Sequence, residues 1–450
     1  MPESLKEHSP GAFQFSKRIF GNLAYLMGGK AAAGVVSLIY MIIAARVLGP
    51  QGYGVLVLVH AFAMTVGGVI ALPGWHGPVR YGVRFLGEGN QGRLARLASW
   101  LGVIELAGGL AAMLVAALLA PLVGPRLGWT PEAQHWFPFY SFAVLASVRG
   151  TPGGYLQLVR RFDLIGLHNL ITPAIRLFGS CAAALLGWGL SGFLAVWLVA
   201  AIAEGISLWG IAYAIAPANE RARLTFSGLG SVPHDNDGLI RFSLTANADL
   251  AVAGFSGWVT PLILGWALGP AGAALFSIAQ RVTIIFVQPA QLLGQAAYAE
   301  LVRILHDTGD RAAVRRALFQ NVGLACLIAV PIMLLLAAFS TQVVEIVAGP
   351  AYAAAASVLI WLCIARAIAL TGPPTSAALT ALGHPGVSLF VNLTTGAMFV
   401  AALPVFVSHF GLVGAGIHAF VQSVVAIIVL STGLFWFTRA AIPDQVRKQG

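Results

Sequence analysis

Charge is scarce in this chain: Asp, Glu, Lys and Arg make up 9% of its 450 residues, where a soluble domain carries about 25%. That scarcity excludes water as the main solvent. Room for a separate soluble domain is missing too, since the longest polar stretch, 217–241, holds only 25 residues. Cysteine is rare, and Cys181, Cys326 and Cys363 fall inside apolar runs without metal-ligand spacing. A disulfide framework and a zinc site are thereby excluded, and a packing role is left. No Walker A run, His-Glu-x-x-His, paired-cysteine site or Gly-x-Ser-x-Gly elbow occurs. The histidines are scattered, and the one set beside acids, His234 with Asp235 and Asp237, reads as a solvated loop. An enzyme, an ATP-driven pump acting alone and a cofactor or metal site are therefore not expected.

What is present is hydrophobic length. Apolar residues make up 58% of the chain, and runs of about 20, enough for one helix to cross a bilayer, recur from Asn22 nearly to Phe437. Breaks at charge, Gly and Pro predict helices near 19–46, 52–75, 97–121, 136–159, 164–188 and 192–216. Six more are predicted near 242–267, 272–299, 316–340, 354–381, 386–407 and 412–438. The first run is too long for a signal-peptide core and stays as helix 1. The fold class is all-α and membrane-integral, with about twelve transmembrane helices.

The chain repeats itself. Leu48-Gly49-Pro50-Gln51-Gly52 recurs as Leu268-Gly269-Pro270-Ala271-Gly272, Val83-Arg84-Phe85-Leu86 as Val302-Arg303-Ile304-Leu305, and Gly189-Leu190-Ser191-Gly192 as Gly411-Leu412-Val413-Gly414. The paired segments start at 48 and 268, 83 and 302, and 189 and 411, a nearly constant offset of close to half the chain. Each match is a common helix-ending turn, so the constancy of the offset carries the argument. The expected lobes are 1–216 and 242–450, joined by a cytoplasmic linker at 217–241. Six crossings per half make the repeats parallel.

The net charge of +10 would suggest nucleic acid in a soluble protein, but the basic residues lie mainly between apolar spans. Nineteen of the 26 Lys and Arg residues occupy the even loops and termini, against only Arg46 and Arg126 in the odd loops. The positive-inside rule then puts both termini in the cytoplasm.

Five cations remain inside the spans, Lys30, Arg149, Arg176, Arg281 and Arg366, with three acids, Glu105, Glu204 and Asp249. Each charge near a helix centre costs about 3 kcal/mol against lipid, so these eight should face protein or water. Arg176 and Arg366 lie about 12 residues into their spans, roughly 18 Å at 1.5 Å per residue, too deep to snorkel. Interhelical ion pairs, such as Arg176 with Glu204, are one account. The other is that cations from both halves line a central aqueous cavity for an anionic substrate. The positive surplus favours the second account, as does arginine, whose fork suits phosphate oxygens. Lys30 and Asp249, separated by the repeat offset, could pair across the repeat axis as a gate or coupling site, or be unrelated inward polar residues.

Prolines within the spans, Pro152, Pro173, Pro261, Pro289, Pro331, Pro373, Pro374 and Pro404, are hinge or packing-kink candidates. The stretch Val79 to Trp100, with Arg80, Arg84, Arg93 and Arg96 among apolar residues, suits either an amphipathic segment on anionic lipid or a topological anchor.

At Ala45-Arg46-Val47-Leu48-Gly49-Pro50-Gln51-Gly52-Tyr53-Gly54 and Gly77-Pro78-Val79-Arg80-Tyr81, the sequence resembles the bacterial polysaccharide transporter family, the O-antigen or lipid-linked oligosaccharide flippases. That family belongs to the multidrug/oligosaccharidyl-lipid/polysaccharide exporter superfamily. The resemblance implies two six-helix lobes around a cavity. It also implies movement of an undecaprenyl-pyrophosphate-linked oligosaccharide across the inner membrane by alternating access, for lipopolysaccharide or other surface polysaccharide. On that analogy Lys30, Arg149, Arg176, Arg281 and Arg366 are substrate-binding candidates, and Asp249 and Glu204 ion-coupling or gating candidates. Implied partners are the lipid-linked oligosaccharide, membrane lipids, H+ or Na+, and the polymerase and glycosyltransferases of the same pathway, with no nucleic acid. The alternative is a secondary antiporter of drugs or small molecules in the same superfamily, although Lys30 stands where such a protein would favour a carboxylate. A major-facilitator transporter would need a Gly-x-x-x-Asp-Arg loop after helix 2, the peptidoglycan lipid flippase usually has two further helices, and a polytopic glycosyltransferase needs a large loop.

Overall fold

Each Leu-Gly-Pro triplet ends one membrane helix and starts the next. Gly49 (φ 65°, ψ 176°) and Gly269 (φ 74°, ψ 179°) hold nearly the same backbone conformation, a region reserved almost wholly for glycine. The prolines that follow donate no N–H and suit the first turn of a new helix. A computed structural model describes residues 12–71, 74–216, 229–283, 297–298, 300–305, 307 and 309–439. Among them there is no strand.

The run Ala12–Ile70 divides at Gly49 into α1 (12–48) and α2 (50–70). A short amphipathic helix, His76–Gly87, precedes α3, Gln91–Val123. α4 is discontinuous, with pieces Pro131–Tyr140, Phe142–Ala146 and Gly150–Leu158. α5 consists of Phe162–His168 and Ile171–Leu186, and α6 is Gly189–Ile215. The run Leu239–Thr283 divides at Gly269 into α7 (239–268) and α8, which starts at 270; residues 297–298 and 300–305 are helical as well. α9 is Arg311–Ala338, followed after a 78° bend by Ser340–Ala348. α10 consists of Ala355–Ala369 and Gly372–Ala381. α11 starts as Pro385–Leu393 and passes through a π turn, Thr394–Met398, before the run Phe399–Arg439 divides at Gly411 into the end of α11 and α12 (412–439).

Seven described helical runs are long and apolar enough to cross a bilayer. The runs containing Gly49, Gly269 and Gly411 each divide at the glycine into two helices, and with bent α9 and broken α4 the helices follow the order of twelve expected from the sequence. α3 begins at Gln91, ahead of its expected start at 97, because left-handed Gly89 (φ 64°) divides the basic stretch into a surface helix and a membrane helix. On the surface helix Arg80, Val83, Arg84 and Leu86 are exposed while Phe85 is buried.

The repeat is visible in local detail. Gly89 and Gly309, one repeat apart, both take a left-handed φ, and each is followed by a helix-capping residue, Asn90 accepting from Arg93 N–H and Asp310 from Ala312 N–H. The Arg84–Glu88 ion pair corresponds to Arg303–Asp307. The break in α4 before Gly150 corresponds to that in α10 before Gly372, again one repeat on.

Pro152, Pro173, Pro373 and Pro374 lie in first turns after helix breaks, where a missing N–H costs nothing. Pro261, Pro331 and Pro404 lie inside helices, and Pro289 lies outside the described residues.

By their contacts the residues form two compact units. One consists of Met1–Ala44, Val66–Ala120 and His135–Asp249, and the other of Ala45–Thr65, Pro121–Gln134 and Leu250–Gly450. In the first, Phe85, Leu94, Leu97, Leu156 and Leu239 pack together, and in the second, Leu301, Val314, Leu318, Leu379 and Leu434. Of the expected linker, residues 217–228 lie outside the described residues, and Val232–Asp235 forms one helical turn.

Candidate functional site

In the first unit the charges gather around the break in α4. Arg149 caps the piece Gly150–Leu158 with a non-helical backbone (φ −152°). The orphan N–H groups of that piece are satisfied from another helix: Gly150 N–H and Thr151 N–H donate to Glu105 of α3, the second at 2.8 Å, and Glu105 is 2% exposed. On the other side of the break Val148 C=O accepts from Trp209 Nε1 at 3.0 Å. Irregular backbone at membrane depth persists only where such partners exist.

Gly205 lets α6 approach this break, since a Cβ there would lie 2.5 Å from the Ala146 carbonyl oxygen. Its neighbour Glu204 thereby meets Arg149 in an ion pair of 2.6 Å. His168 of α5 completes the group, its Nε2 2.9 Å from the Glu204 carbonyl oxygen. The pair considered from sequence, Arg176 with Glu204, is not formed.

Arg176 of α5 occupies an aromatic cage instead. Its guanidinium carbon lies 4.9 Å from the Trp197 ring centroid and 5.7 Å from that of Tyr40, and Nη1 donates to the Tyr40 hydroxyl at 3.3 Å. The two rings pack edge to face at 5.3 Å. Its Nε has no hydrogen-bond partner among the described residues. The cage holds the cation by ring electrostatics without neutralising it.

In the second unit Arg366 of α10 lines a cavity of about 920 Å³, within the range of small-molecule sites. The polar wall is built from residues one turn apart: Ser256 and Thr260 on α7, Ser376 and Thr380 on α10, His418 and Gln422 on α12. No acid is among the described lining residues, and none there forms an ion pair with Arg366. The wall is braced at the π turn of α11, where Gln422 Nε2 donates to Thr395 C=O at 2.7 Å and His418 Nε2 lies 2.7 Å from the Phe399 carbonyl oxygen. Such turns leave carbonyls without helical partners and recur at functional sites.

Arg281 is half-buried on α8, next to Gln280 of the cavity wall. Lys30 and Asp249 occupy helical positions in α1 and α7, but their side chains lie outside the described residues. The sequence reading counted formal charges, so it passed over the capping role of Glu105, the Tyr40–Trp197 cage and the neutral polar pairs of the cavity. Polar residues at i, i+4 spacing within apolar runs were the available signal.

Comparison with known proteins agrees with this architecture. The inner membrane protein YghQ of Escherichia coli (strain K12) is 25% identical over 299 residues, covering 65% of this chain and 82% of YghQ. A MATE-family multidrug resistance transporter of the MOP superfamily, in an inward-facing conformation, has a TM-score of 0.71 at 16% identity, covering 91% of this chain and 96% of that one. The lipid II flippase MurJ, in an inward closed conformation, has a TM-score of 0.70 at 12% identity, covering 92% and 90%. Residues 95–357, more than half of the chain, match the family described as polysaccharide biosynthesis protein. The chain belongs to that family, and its fold is the twelve-helix fold of the MOP-superfamily transporters.

Proposed function

We propose that this protein is a flippase that carries an undecaprenyl-pyrophosphate-linked oligosaccharide across the bacterial inner membrane by alternating access, for O-antigen or another surface polysaccharide. The observation that carries this reading is the polar cavity around Arg366, with no acid among its described lining residues. A guanidinium without a carboxylate partner attracts phosphate or acidic-sugar oxygens. Stripes of hydroxyl and amide groups beside it suit the hydroxyls of a glycan. An organic cation would find no counter-charge among the described lining residues, which speaks against a cationic-drug antiporter.

Arg366 and caged Arg176 are the leading anion ligands, with Lys30 and Arg281 as further ones. Arg149 is held by Glu204, and opening that pair would release both for binding and gating. Asp249 remains the coupling or gating candidate on α7.

Depletion of the protein should stop surface polysaccharide and leave the lipid-linked oligosaccharide on the cytoplasmic face; normal surface polysaccharide without that accumulation would sink the reading. Arg366→Ala in correctly inserted protein should lower export about tenfold to a hundredfold, the equivalent of one lost charge-assisted hydrogen bond of about 1.5–3 kcal/mol.

A further inference from the structure

The cavity around Arg366 has a hydrogen-bonding polarity that its residue types alone do not show. Four hydroxyls line it on four helices: Thr260 of α7, Thr380 of α10, Thr395 in the π turn of α11 and Ser423 of α12. Each already donates its proton to its own helix one turn back. Thr260 Oγ1 bonds the Ser256 carbonyl at 2.7 Å and Thr380 Oγ1 that of Ser376 at 2.9 Å. Thr395 Oγ1 bonds the Val391 carbonyl at 2.7 Å and Ser423 Oγ that of Ala419 at 2.9 Å. Serine and threonine inside helices form this bond because the carbonyl four residues back lies within reach. A hydroxyl has one proton and two lone pairs, so lone pairs are what these four offer a ligand. His418 adds to them: its Nε2 faces the Phe399 carbonyl, an acceptor, and so carries the proton, which leaves Nδ1 of the neutral ring as a further lone pair.

Acceptors on every wall distinguish the two ends of a lipid-linked oligosaccharide. The ionised oxygens of a pyrophosphate only accept, and here they would face lone pairs on four helices. Sites that hold phosphate surround it instead with backbone N–H groups and several cations. A pyranose ring carries several O–H donors and finds partners in the same lone pairs. Arg366 supplies the opposite polarity, a planar fork of N–H groups, and that fork matches one carboxylate. With no acid among the described lining residues, a neutral ring would leave the guanidinium unmatched, and unmatched polar groups are what make a hydrogen-bonding site reject a near relative of its ligand.

We infer that this cavity holds a hexuronate ring of the glycan and leaves the pyrophosphate outside. The ring hydroxyls donate to Thr260, Thr380, Thr395 and Ser423, and the carboxylate lies on Arg366. The inference rests on the flippase reading above and narrows it, assigning to the cavity one end of the carried molecule. The same four hydroxyls, counted only as polar, would have suited either end.

Thermal unfolding of the purified full chain in detergent tests it, with sodium glucuronate and sodium galacturonate compared against sodium pyrophosphate and sodium chloride at equal sodium concentration and pH. One or both hexuronates should raise the melting temperature by a few degrees and saturate, as a ligand of the native state does. Pyrophosphate should leave it at the chloride value. Thr260→Val and Thr380→Val keep the side-chain shape and remove the oxygen; each should weaken the hexuronate about twofold to tenfold, the worth of one hydrogen bond. Arg366→Gln should abolish the shift. Stabilisation by pyrophosphate equal to or above that by both hexuronates would overturn the inference and leave the flippase reading standing. Full hexuronate binding in both valine variants, or no shift with any of the three ligands, would overturn it as well. The readout needs no export, so a failed depletion experiment would remove the flippase reading while the hexuronate result stood by itself.

Discussion

Arg149 and Glu204 form an ion pair that a count of charges along the chain does not reveal. The Arg149 side chain is 36% exposed and that of Glu204 18%, so screening takes part of the attraction, yet removing one partner leaves the other poorly solvated. Glu204→Gln should therefore destabilise the protein more than the double substitution Arg149→Gln with Glu204→Gln, with a coupling of about 1–2 kcal/mol. A double-mutant cycle of unfolding measurements in detergent reads this directly, and additive effects would show the pair to be idle. That these residues avoid lipid was legible from their depth in apolar runs. Their partners were not, because pairing depends on where α4 breaks and on Gly205 admitting α6 to the break. Arg176 makes the same point: its cage joins Tyr40, 136 residues away, to Trp197, and no local pattern joins them.

Among the elements, the turns were the most legible part. Leu-Gly-Pro at 48–50 and 268–270 carries its own physics: glycine for a positive φ with extended ψ, then proline opening the next helix. An alanine at Gly49 or Gly269 meets no neighbouring atom, so its cost is backbone strain alone. Gly49→Ala and Gly269→Ala should each lower unfolding stability by about 1–3 kcal/mol, and by similar amounts, as thermal melts would show. Unequal effects would mean that the two turns are alike only in sequence. The break in α4, the bend after α9 and the π turn of α11 were not legible. The first and last of these need partners from elsewhere in their units, Glu105 for the break and Gln422 and His418 for the π turn, and hydropathy cannot report a partner. Pro152, Pro173, Pro373 and Pro374, among the hinge or packing-kink candidates, are helix starts, a distinction that depends on whether a break precedes them.

Across the whole molecule the twelve crossings follow from hydropathy, and the repeat follows from the offset that turns, caps and ion pairs share. Three of the odd connections are tight, single glycines at 49, 269 and 411, and offer little chain to carry charge. The even ones hold the surface helix His76–Gly87 with Arg80 and Arg84, the turn at Arg160 and Arg161, and the cap at 309–311. Segregation of Lys and Arg to one set of connections acts through the translocation machinery and the membrane potential. The termini and even loops should therefore be cytoplasmic. Green fluorescent protein fused after Gly450 should fluoresce, and alkaline phosphatase fused after Gly128, in the loop between α3 and α4, should be active. The reverse pattern would invert the direction proposed for transport, since Arg93, Arg96, Arg160 and Arg161 would then meet the substrate from the periplasmic side.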